Sequence, residues 1–127
     1  MRAGLAVTLA LSLLPNESFA DVVRHEFVPV LLRGSWAPRD GVCQKGNKSI
    51  ITIADKAYTS SDLACAVAYV SETSEAGGKA VYSAHLDCSK MTPPRQMDVI
   101  LIPKTGDLIS VGSSFESLKD YKPCGGH

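Results

Sequence analysis

Two short segments of the chain carry residue types that bind metal ions. His85-Leu86-Asp87-Cys88 and Cys124-Gly125-Gly126-His127 together offer two imidazoles and two thiolates, a tetrahedral donor set for zinc. Residues 85–88 alternate like a β-strand, however, and residues three apart on a strand point to opposite faces, so His85 and Cys88 are not expected to reach one ion. Because the chain also begins with an export signal, we expect oxidised cysteines here, with no metal and no cofactor.

Nucleophilic catalysis has weak support in the sequence. None of the serines lies in a G-x-S-x-G motif, His25 and His127 lie near the ends of the expected mature chain, and His85 lies within a strand pattern. A Ser-His-Asp triad is assembled only in space, so the sequence neither identifies nor excludes one. Glu72 and Glu75 fall in a polar segment, where solvation explains them better than acid–base catalysis. We therefore expect a protein without enzymatic activity.

Residues 1–20 have the order of a secretory signal peptide. Arg2 precedes an apolar run from Ala3 to Leu14, and Ser18-Phe19-Ala20 supplies small residues before a cleavage site. The apolar run is too short for a stable membrane helix, so no membrane insertion of the mature chain is expected. The 13 basic and 13 acidic residues balance, which disfavours nucleic acid or an anionic membrane as a partner. These features predict a periplasmic or secreted protein.

The mature chain reads as an all-β protein. Short apolar runs alternate with turn residues, a spacing typical of a small antiparallel β-barrel or sandwich of about seven or eight short strands. Residues 31–124 are expected to form this single domain. Residues 21–30 form an N-terminal extension that wraps around the outside or plugs one end, and residues 125–127 form a frayed tail.

Three hairpins can be read from the apolar pattern. Residues 49–54 form a strand that turns at Asp55-Lys56 into residues 57–59. In residues 63–70, Leu63, Cys65, Val67 and Tyr69 share one face and alanines the other; a strand is favoured, and a short helix that begins at Ser60-Ser61-Asp62 is the alternative. This run is followed by a polar loop, residues 71–79, and by a strand with Tyr82, Ala84, Leu86 and Cys88 on one face.

The clearest hairpin joins residues 98–102 to residues 108–111. Its first arm, Val99-Ile100-Leu101-Ile102, is apolar on both faces. Such a strand is either covered on both sides or in contact with a partner. The two prolines of Met91-Thr92-Pro93-Pro94-Arg95 exclude that segment from a central strand, so it is expected to be a loop.

The four cysteines are expected to staple the domain. Cys43, Cys65, Cys88 and Cys124 all lie in the mature part, and an exported domain of this size gains stability from two disulfides. Four cysteines allow three pairings, which spacing does not resolve. The preferred pairing is Cys43 with Cys65 and Cys88 with Cys124.

The segment Leu32-Arg33-Gly34-Ser35-Trp36 resembles the Gly-x-Trp start of lipocalin-like barrels, in particular the small secreted proteinase-inhibitor barrels of bacteria. The resemblance implies an antiparallel barrel with the tryptophan packed across its closed end, and an inhibitory role. From the residues alone, Trp36 is a core anchor whose N–H finds a backbone acceptor. The first strand is expected over Leu32 to Ala37, with an exposed turn from Pro38 to Gly41.

The predicted function is binding of another protein by an exported, non-enzymatic envelope protein, with inhibition of a hydrolase such as a protease or lysozyme as the specific role. The alternatives are a carrier with an apolar cavity behind Trp36 and a structural envelope protein without a ligand. Loops carry binding on a rigid scaffold. The candidate contact residues are Pro38, Arg39, Asp40, Glu72, Glu75, Pro93, Pro94 and Arg95.

Overall fold

The computed structural model describes residues 22–75 and 77–125, so the predicted signal peptide and the end of the tail lie outside the described residues. The fold is all-β, as the turn spacing predicts. The described residues form nine strands: β1 Val23–His25, β2 Gly34–Pro38, β3 Ile51–Ile53, β4 Ala57–Thr59, β5 Ala64–Ser74, β6 Ala80–Cys88, β7 Arg95–Pro103, β8 Ile109–Gly112 and β9 Lys119–Cys124.

Strands β2 to β9 close into an antiparallel barrel. Each strand pairs with its neighbour in sequence, and β9 pairs with β2 to complete the circle. The ninth strand, β1, pairs with residues 70–72 of β5, beyond the point where β4 ends. Closure of the barrel gives hydrogen-bond partners to the backbone N–H and C=O groups that the edge strands of a sandwich would leave unpaired. The predicted all-β fold is therefore confirmed, and of its two forms, barrel or sandwich, the barrel is observed, with eight strands in the wall and one extra strand beside it.

The barrel interior is filled with apolar side chains. Val67, Val70 and Leu101 are at most 1% exposed, and they belong to one cluster that also contains Trp36 and Leu86. Alternate residues of each strand point into the barrel, and the apolar residues of the predicted hairpins occupy these inward positions. The structure shows where the two apolar faces of β7 lie. Val99 and Leu101 are buried inside the barrel, whereas Ile100 and Ile102 are half-buried on its outer wall.

Residues 64–74 form a strand, so the favoured interpretation of residues 63–70 is confirmed and the helix is not formed. Its inward face was predicted wrongly after Val67. The register with β6 shifts between Val67 and Tyr69, and this bulge turns Val70 inward and Tyr69 outward. Ser71 to Ser74, which were expected in a loop, continue the strand because they pair with residues 80–83.

One end of the barrel is closed by the N-terminal segment. The predicted first strand was too long at its start, because Val30–Leu32 form a 3₁₀ turn and β2 begins at Gly34. Gly34 has φ 132°, a conformation that favours glycine. At this residue the chain turns from the N-terminal segment into the barrel wall. Val28 and Leu32 are fully buried, and the Val28 N–H donates to the Asp55 carbonyl at 2.9 Å. We call this the closed end.

The disulfides join Cys43 to Cys124 and Cys65 to Cys88, so the preferred pairing was wrong. Cys65 and Cys88 lie on adjacent antiparallel strands with Cα atoms 4.2 Å apart. The β2–β3 connection turns back along the outer wall, which brings Cys43 to Cys124, the partner of Ser35 in the ladder. Both bonds fit a protein that folds outside the reducing cytoplasm. In the part of the chain that the structure describes, no helix has the length and apolarity needed to cross a membrane.

Candidate functional site

A serine, a histidine and an aspartate meet on the outer wall of the barrel. His85 of β6 lies directly opposite Tyr69 of β5 on one side and Asp98 of β7 on the other, and Ser71 follows two residues after Tyr69. His85 Nδ1 lies 2.8 Å from Asp98 Oδ1, and His85 Nε2 lies 3.2 Å from Ser71 Oγ. We call Ser71, His85 and Asp98 the outer triad.

The contacts of the outer triad select one tautomer of the neutral imidazole. Because a carboxylate only accepts, Asp98 receives the Nδ1–H of His85; in the neutral ring this leaves Nε2 with a lone pair, which can accept the Ser71 hydroxyl. This is the hydrogen-bond order of a nucleophile, its base and the group that orients the base. The side chains of His85 and Asp98 are 28% and 61% exposed, so the outer triad is open to solvent.

Two further side chains flank the outer triad. The Tyr69 ring stacks on the His85 ring, with centroids 4.1 Å apart and planes at 24°. The Arg24 guanidinium lies over the Tyr69 ring, with its carbon 3.7 Å from the ring centroid. Arg24 reaches this face because β1 pairs with β5 and places Arg24 opposite Ser71. A positive charge therefore lies on the same face as the hydroxyl and the imidazole.

The bulge in β5 creates this arrangement. With uninterrupted alternation from Cys65 and Val67, Ser71 would point into the barrel. The register shift between Val67 and Tyr69 moves Ser71 to the outer face, where His85 already points. A single inserted residue is difficult to recognise in an alternating sequence, which explains why the sequence left the outer triad unidentified.

The other histidine pair lies on the opposite face of β5. His25 Nε2 lies 2.7 Å from Glu72 Oε1, and the His25 ring is 6.2 Å from that of Tyr82. Burial and, to a smaller degree, the Glu72 charge raise the pKa of Tyr82. Glu72 was predicted as a contact residue in a loop, but it lies in β5, between β1 and β6.

The other predicted contact residues do not form one surface. Arg39 and Asp40 form the turn after Pro38, the last residue of β2, while Pro93 and Pro94 are exposed before Arg95, the first residue of β7. Glu75 is exposed in the β5–β6 turn. Arg95 pairs with Cys88, at the end of β6 that is far from the β5–β6 turn. The loop that contains Pro93 and Pro94 therefore lies about 25 Å from Glu75 along the wall.

Arg39 takes part in a network around Asp120. The Ser110 hydroxyl donates to Asp120 Oδ1 at 2.7 Å, Lys104 Nζ lies 3.2 Å from the same atom, and Arg39 lies 3.6 Å from Oδ2. The Ser110 and Lys104 hydrogen bonds, followed by the charges of Lys104 and Arg39, hold the pKa of Asp120 below its usual value. The network ties β8 and β9 to the β2–β3 connection.

Several concave regions surround the filled core, and three of them bear on function. A groove of about 650 Å³ lies between the β2–β3 connection and the outer wall, with Lys45, Lys48 and Thr52 among its lining residues. A cavity of about 290 Å³ lies beside Trp36, Leu31 and Pro103 at the closed end. The opposite end of the barrel, which we call the open end, holds a cavity of about 340 Å³. Its apolar lining includes Tyr58, Leu63, Met97, Val99, Val111 and Tyr121.

Trp36 lies in the core at the closed end. It is 3% exposed, and its Nε1–H donates to the Leu32 carbonyl at 3.0 Å. The exposed apolar side chains are concentrated nearby in the chain. Of the seven large hydrophobic residues that the described part exposes, five lie within residues 22–31: Val22, Val23, Phe27, Val30 and Leu31. We call these five the closed-end surface.

The thiols considered for zinc are both in disulfides, and His127 lies outside the described residues. Within residues 22–75 and 77–125, no group of three or more His, Cys, Asp or Glu side chains is placed to hold a metal ion.

Comparisons of the chain with protein-family models, with curated proteins and with solved structures find no match.

Proposed function

We propose that the protein is an exported binding protein of the bacterial envelope that engages another protein through the closed-end surface. The observation that carries the proposal is the concentration of exposed apolar side chains in residues 22–31. Concentrated exposed apolar residues are typical of interaction sites, whereas single ones are common on any surface. Phe27 precedes the buried Val28, and Val30 and Leu31 belong to the same 3₁₀ turn as the buried Leu32, so all three are carried on a segment that the core holds in place.

A rigid support favours binding by this surface. The 3₁₀ turn Val30–Leu32 is held by Leu32, by the indole of Trp36, and by the Arg33 Nε–H, which donates to the Val28 carbonyl at 2.8 Å. A surface that is ordered before binding loses little conformational entropy on association. This arrangement supports the closed end over the polar loop residues as the main contact, while Arg39 is already engaged by Asp120.

Charge around the surface favours a protein partner over an anionic membrane. Lys56 Nζ lies 5.6 Å from the Phe27 ring centroid and donates to the Glu26 carbonyl at 3.3 Å. Glu26 precedes Phe27 in the chain, and Asp55, whose carbonyl accepts the Val28 N–H, adds a second negative charge at the closed end. Anionic membranes select clustered basic residues, while mixed charge around an apolar centre is usual for protein interfaces. The resemblance of residues 32–36 to inhibitor barrels extends the proposal to inhibition of an envelope hydrolase.

A matched pair of phenylalanines tests the proposal. Phe27 and Phe115 are each 55% exposed, but only Phe27 belongs to the closed-end surface. The purified mature protein would be titrated against envelope proteases and lysozymes, and a cross-linked partner from the envelope fraction would be identified and measured in the same way. Phe27→Ser should raise Kd by about 30-fold or more, the effect of losing a central apolar contact. Phe115→Ser should leave Kd unchanged.

Two outcomes would reject the proposal. One is a partner whose affinity falls equally in both variants. The other is the absence of any hydrolase inhibition together with the absence of a cross-linked protein whose yield depends on Phe27. Circular dichroism and non-reducing electrophoresis establish that both variants keep the barrel and its disulfides.

The second candidate function, a carrier of small apolar ligands, has one observation in its favour. The open-end cavity of about 340 Å³ lies within the size range of small-molecule sites and is lined mainly by apolar and aromatic side chains. A carrier should bind the apolar dye N-phenylnaphthylamine at one site. Met97→Trp should fill the cavity and abolish dye binding, while Leu31→Ser should leave it intact. Dye binding that survives Met97→Trp would remove the open end as the ligand site.

A further inference from the structure

We propose that Ser71 is a base-activated nucleophile that accepts acyl groups from small, activated esters. The site is the outer triad, with His85 as the general base and Asp98 as the residue that positions it. It lies on the wall formed by β5, β6 and β7 and does not depend on the closed-end surface. The proposal therefore adds a chemical reaction to a protein whose proposed function is binding.

The distances in the outer triad permit proton transfer. Ser71 Oγ and His85 Nε2 are 3.2 Å apart, within reach for a hydroxyl to donate to a neutral imidazole. The 2.8 Å contact from His85 Nδ1 to Asp98 Oδ1 orients the ring and stabilises the imidazolium that forms. Stacking on Tyr69 at 4.1 Å limits rotation of the ring out of this plane.

The reaction would proceed in two balanced steps. The Ser71 oxygen bonds to the ester carbonyl carbon as its proton moves to His85 Nε2, and the carbon–oxygen bond to the leaving group then breaks. The imidazolium returns its proton to the departing alkoxide. In the second step, water gives a proton to the imidazole as its oxygen bonds to the acyl carbon. The bond from that carbon to the Ser71 oxygen then breaks, and the imidazolium returns the proton to this oxygen, which releases the carboxylic acid and restores the serine hydroxyl.

The surroundings determine which esters are suitable. Arg24 lies opposite Ser71 in the β1–β5 ladder and places a positive charge on the face where negative charge develops on the carbonyl oxygen. The site lies on an open wall, with His85 and Asp98 partly exposed. An open site provides little binding energy for a large substrate, so the substrate class is small esters with good leaving groups.

The first experiment measures covalent labelling. The mature, disulfide-bonded protein is treated with a fluorophosphonate probe, and the modified peptide is identified by mass spectrometry. We expect the label on Ser71, loss of labelling in Ser71→Ala, and a decrease of about 100-fold in the labelling rate in His85→Ala. Ser83→Ala is the matched control, because Ser83 lies opposite Ser71 in the β5–β6 ladder, and no histidine bond to Ser83 is present among the described residues.

A second measurement separates chemistry from folding. Exogenous imidazole should restore part of the labelling and of p-nitrophenyl acetate hydrolysis to His85→Ala, which a merely structural role of His85 does not predict. Asp98→Asn should slow labelling and Asp98→Glu should retain part of it. If His85→Ala loses the barrel by circular dichroism, His85→Gln takes its place.

The proposal is overturned if the label is found elsewhere or not at all. It is also overturned if Ser83→Ala lowers labelling as much as Ser71→Ala, or if neither His85 variant changes the rate. Failure of these tests leaves the Phe27 and Phe115 comparison unaffected, so the two proposals are rejected separately.

Discussion

The two ends of the barrel are built in opposite ways. At the closed end the chain covers itself: Val28 and Leu32 are fully buried, and Trp36 donates to the Leu32 carbonyl. At the open end, Tyr58 and Met97 border a cavity of about 340 Å³ that no segment of the described chain fills. The closed end therefore combines a buried inner layer with an exposed apolar outer layer, whereas the open end exposes its apolar groups only within a concave site.

This difference comes from one short segment, residues 22–32. A barrel with two open ends offers cavities, and its function depends on what enters them. Residues 22–32 cover one end, and the same segment that buries Leu32 exposes Leu31, so we expect binding at this end to take place on its outer surface. The two ends thus predict two different kinds of partner, a protein at one and a small apolar molecule at the other.

The largest effect is expected from the inner layer of the closed end. Leu32→Ala removes a fully buried side chain and should lower the free energy of unfolding by about 2–5 kcal/mol. Leu31→Ala, one residue earlier and 51% exposed, should change it by about 0.5 kcal/mol or less. Urea unfolding followed by Trp36 fluorescence measures both. Equal losses in the two variants would contradict a plug that has an inner and an outer layer.

At the open end, the corresponding test measures the free energy of unfolding at alkaline pH. Burial, followed by the nearby Tyr121, raises the pKa of Tyr58 to about 12, while an unfolded tyrosine ionises near about 10. The folded state therefore favours the neutral phenol, and its stability is complete below pH 10 and falls as the pH rises from 10 to 12. Two pKa units correspond to a loss of about 2–3 kcal/mol.

Tyr58→Phe removes this source of alkaline loss. Its free energy of unfolding, measured in urea at pH 8 and at pH 11.5, should fall less between the two values than that of the wild type. Tyr82, whose pKa burial also raises, accounts for part of the loss that remains. Parallel pH curves for the two proteins would show that Tyr58 is not shielded at the open end.

The sequence predicted the parts of the molecule that local pattern determines. Turn residues at regular spacing predicted the strands, and alternation placed Tyr82, Ala84, Leu86 and Cys88 on the inner face of β6, as observed. The indole of Trp36 was expected to find a backbone acceptor, and it donates to Leu32. Each of these depends on residues close together in the chain.

The parts that the sequence left undetermined depend on contacts across the barrel. Cys43 meets Cys124 only because the β2–β3 connection turns back along the wall. The outer triad depends on one inserted residue in β5, which reverses the direction of Ser71. Neither event changes local composition, so neither leaves a signal that spacing could reveal.

The smallest effect is expected on the wall between the two ends. The Ser110 hydroxyl, Lys104 and Arg39 surround the Asp120 carboxylate and lower its pKa. A carboxylate whose folded pKa is depressed stabilises the protein at pH values above its unfolded pKa, about 3.9, and this contribution is lost as the pH falls through the folded pKa. Because the side chain is 23% exposed and its cationic partners are more so, the contribution should be only about 1 kcal/mol.

Asp120→Asn should therefore lower the free energy of unfolding by about 1 kcal/mol at pH 7, and by progressively less below pH 4. Urea titrations at pH 7, 4 and 2.5 measure the difference from the wild type. Asp40→Asn, at an exposed turn position, is the control and should differ little from the wild type at any of these pH values. A difference for Asp120→Asn that stays constant down to pH 2.5 would show that the amide perturbs packing around Ser110, and that the charge of Asp120 contributes little to the wall.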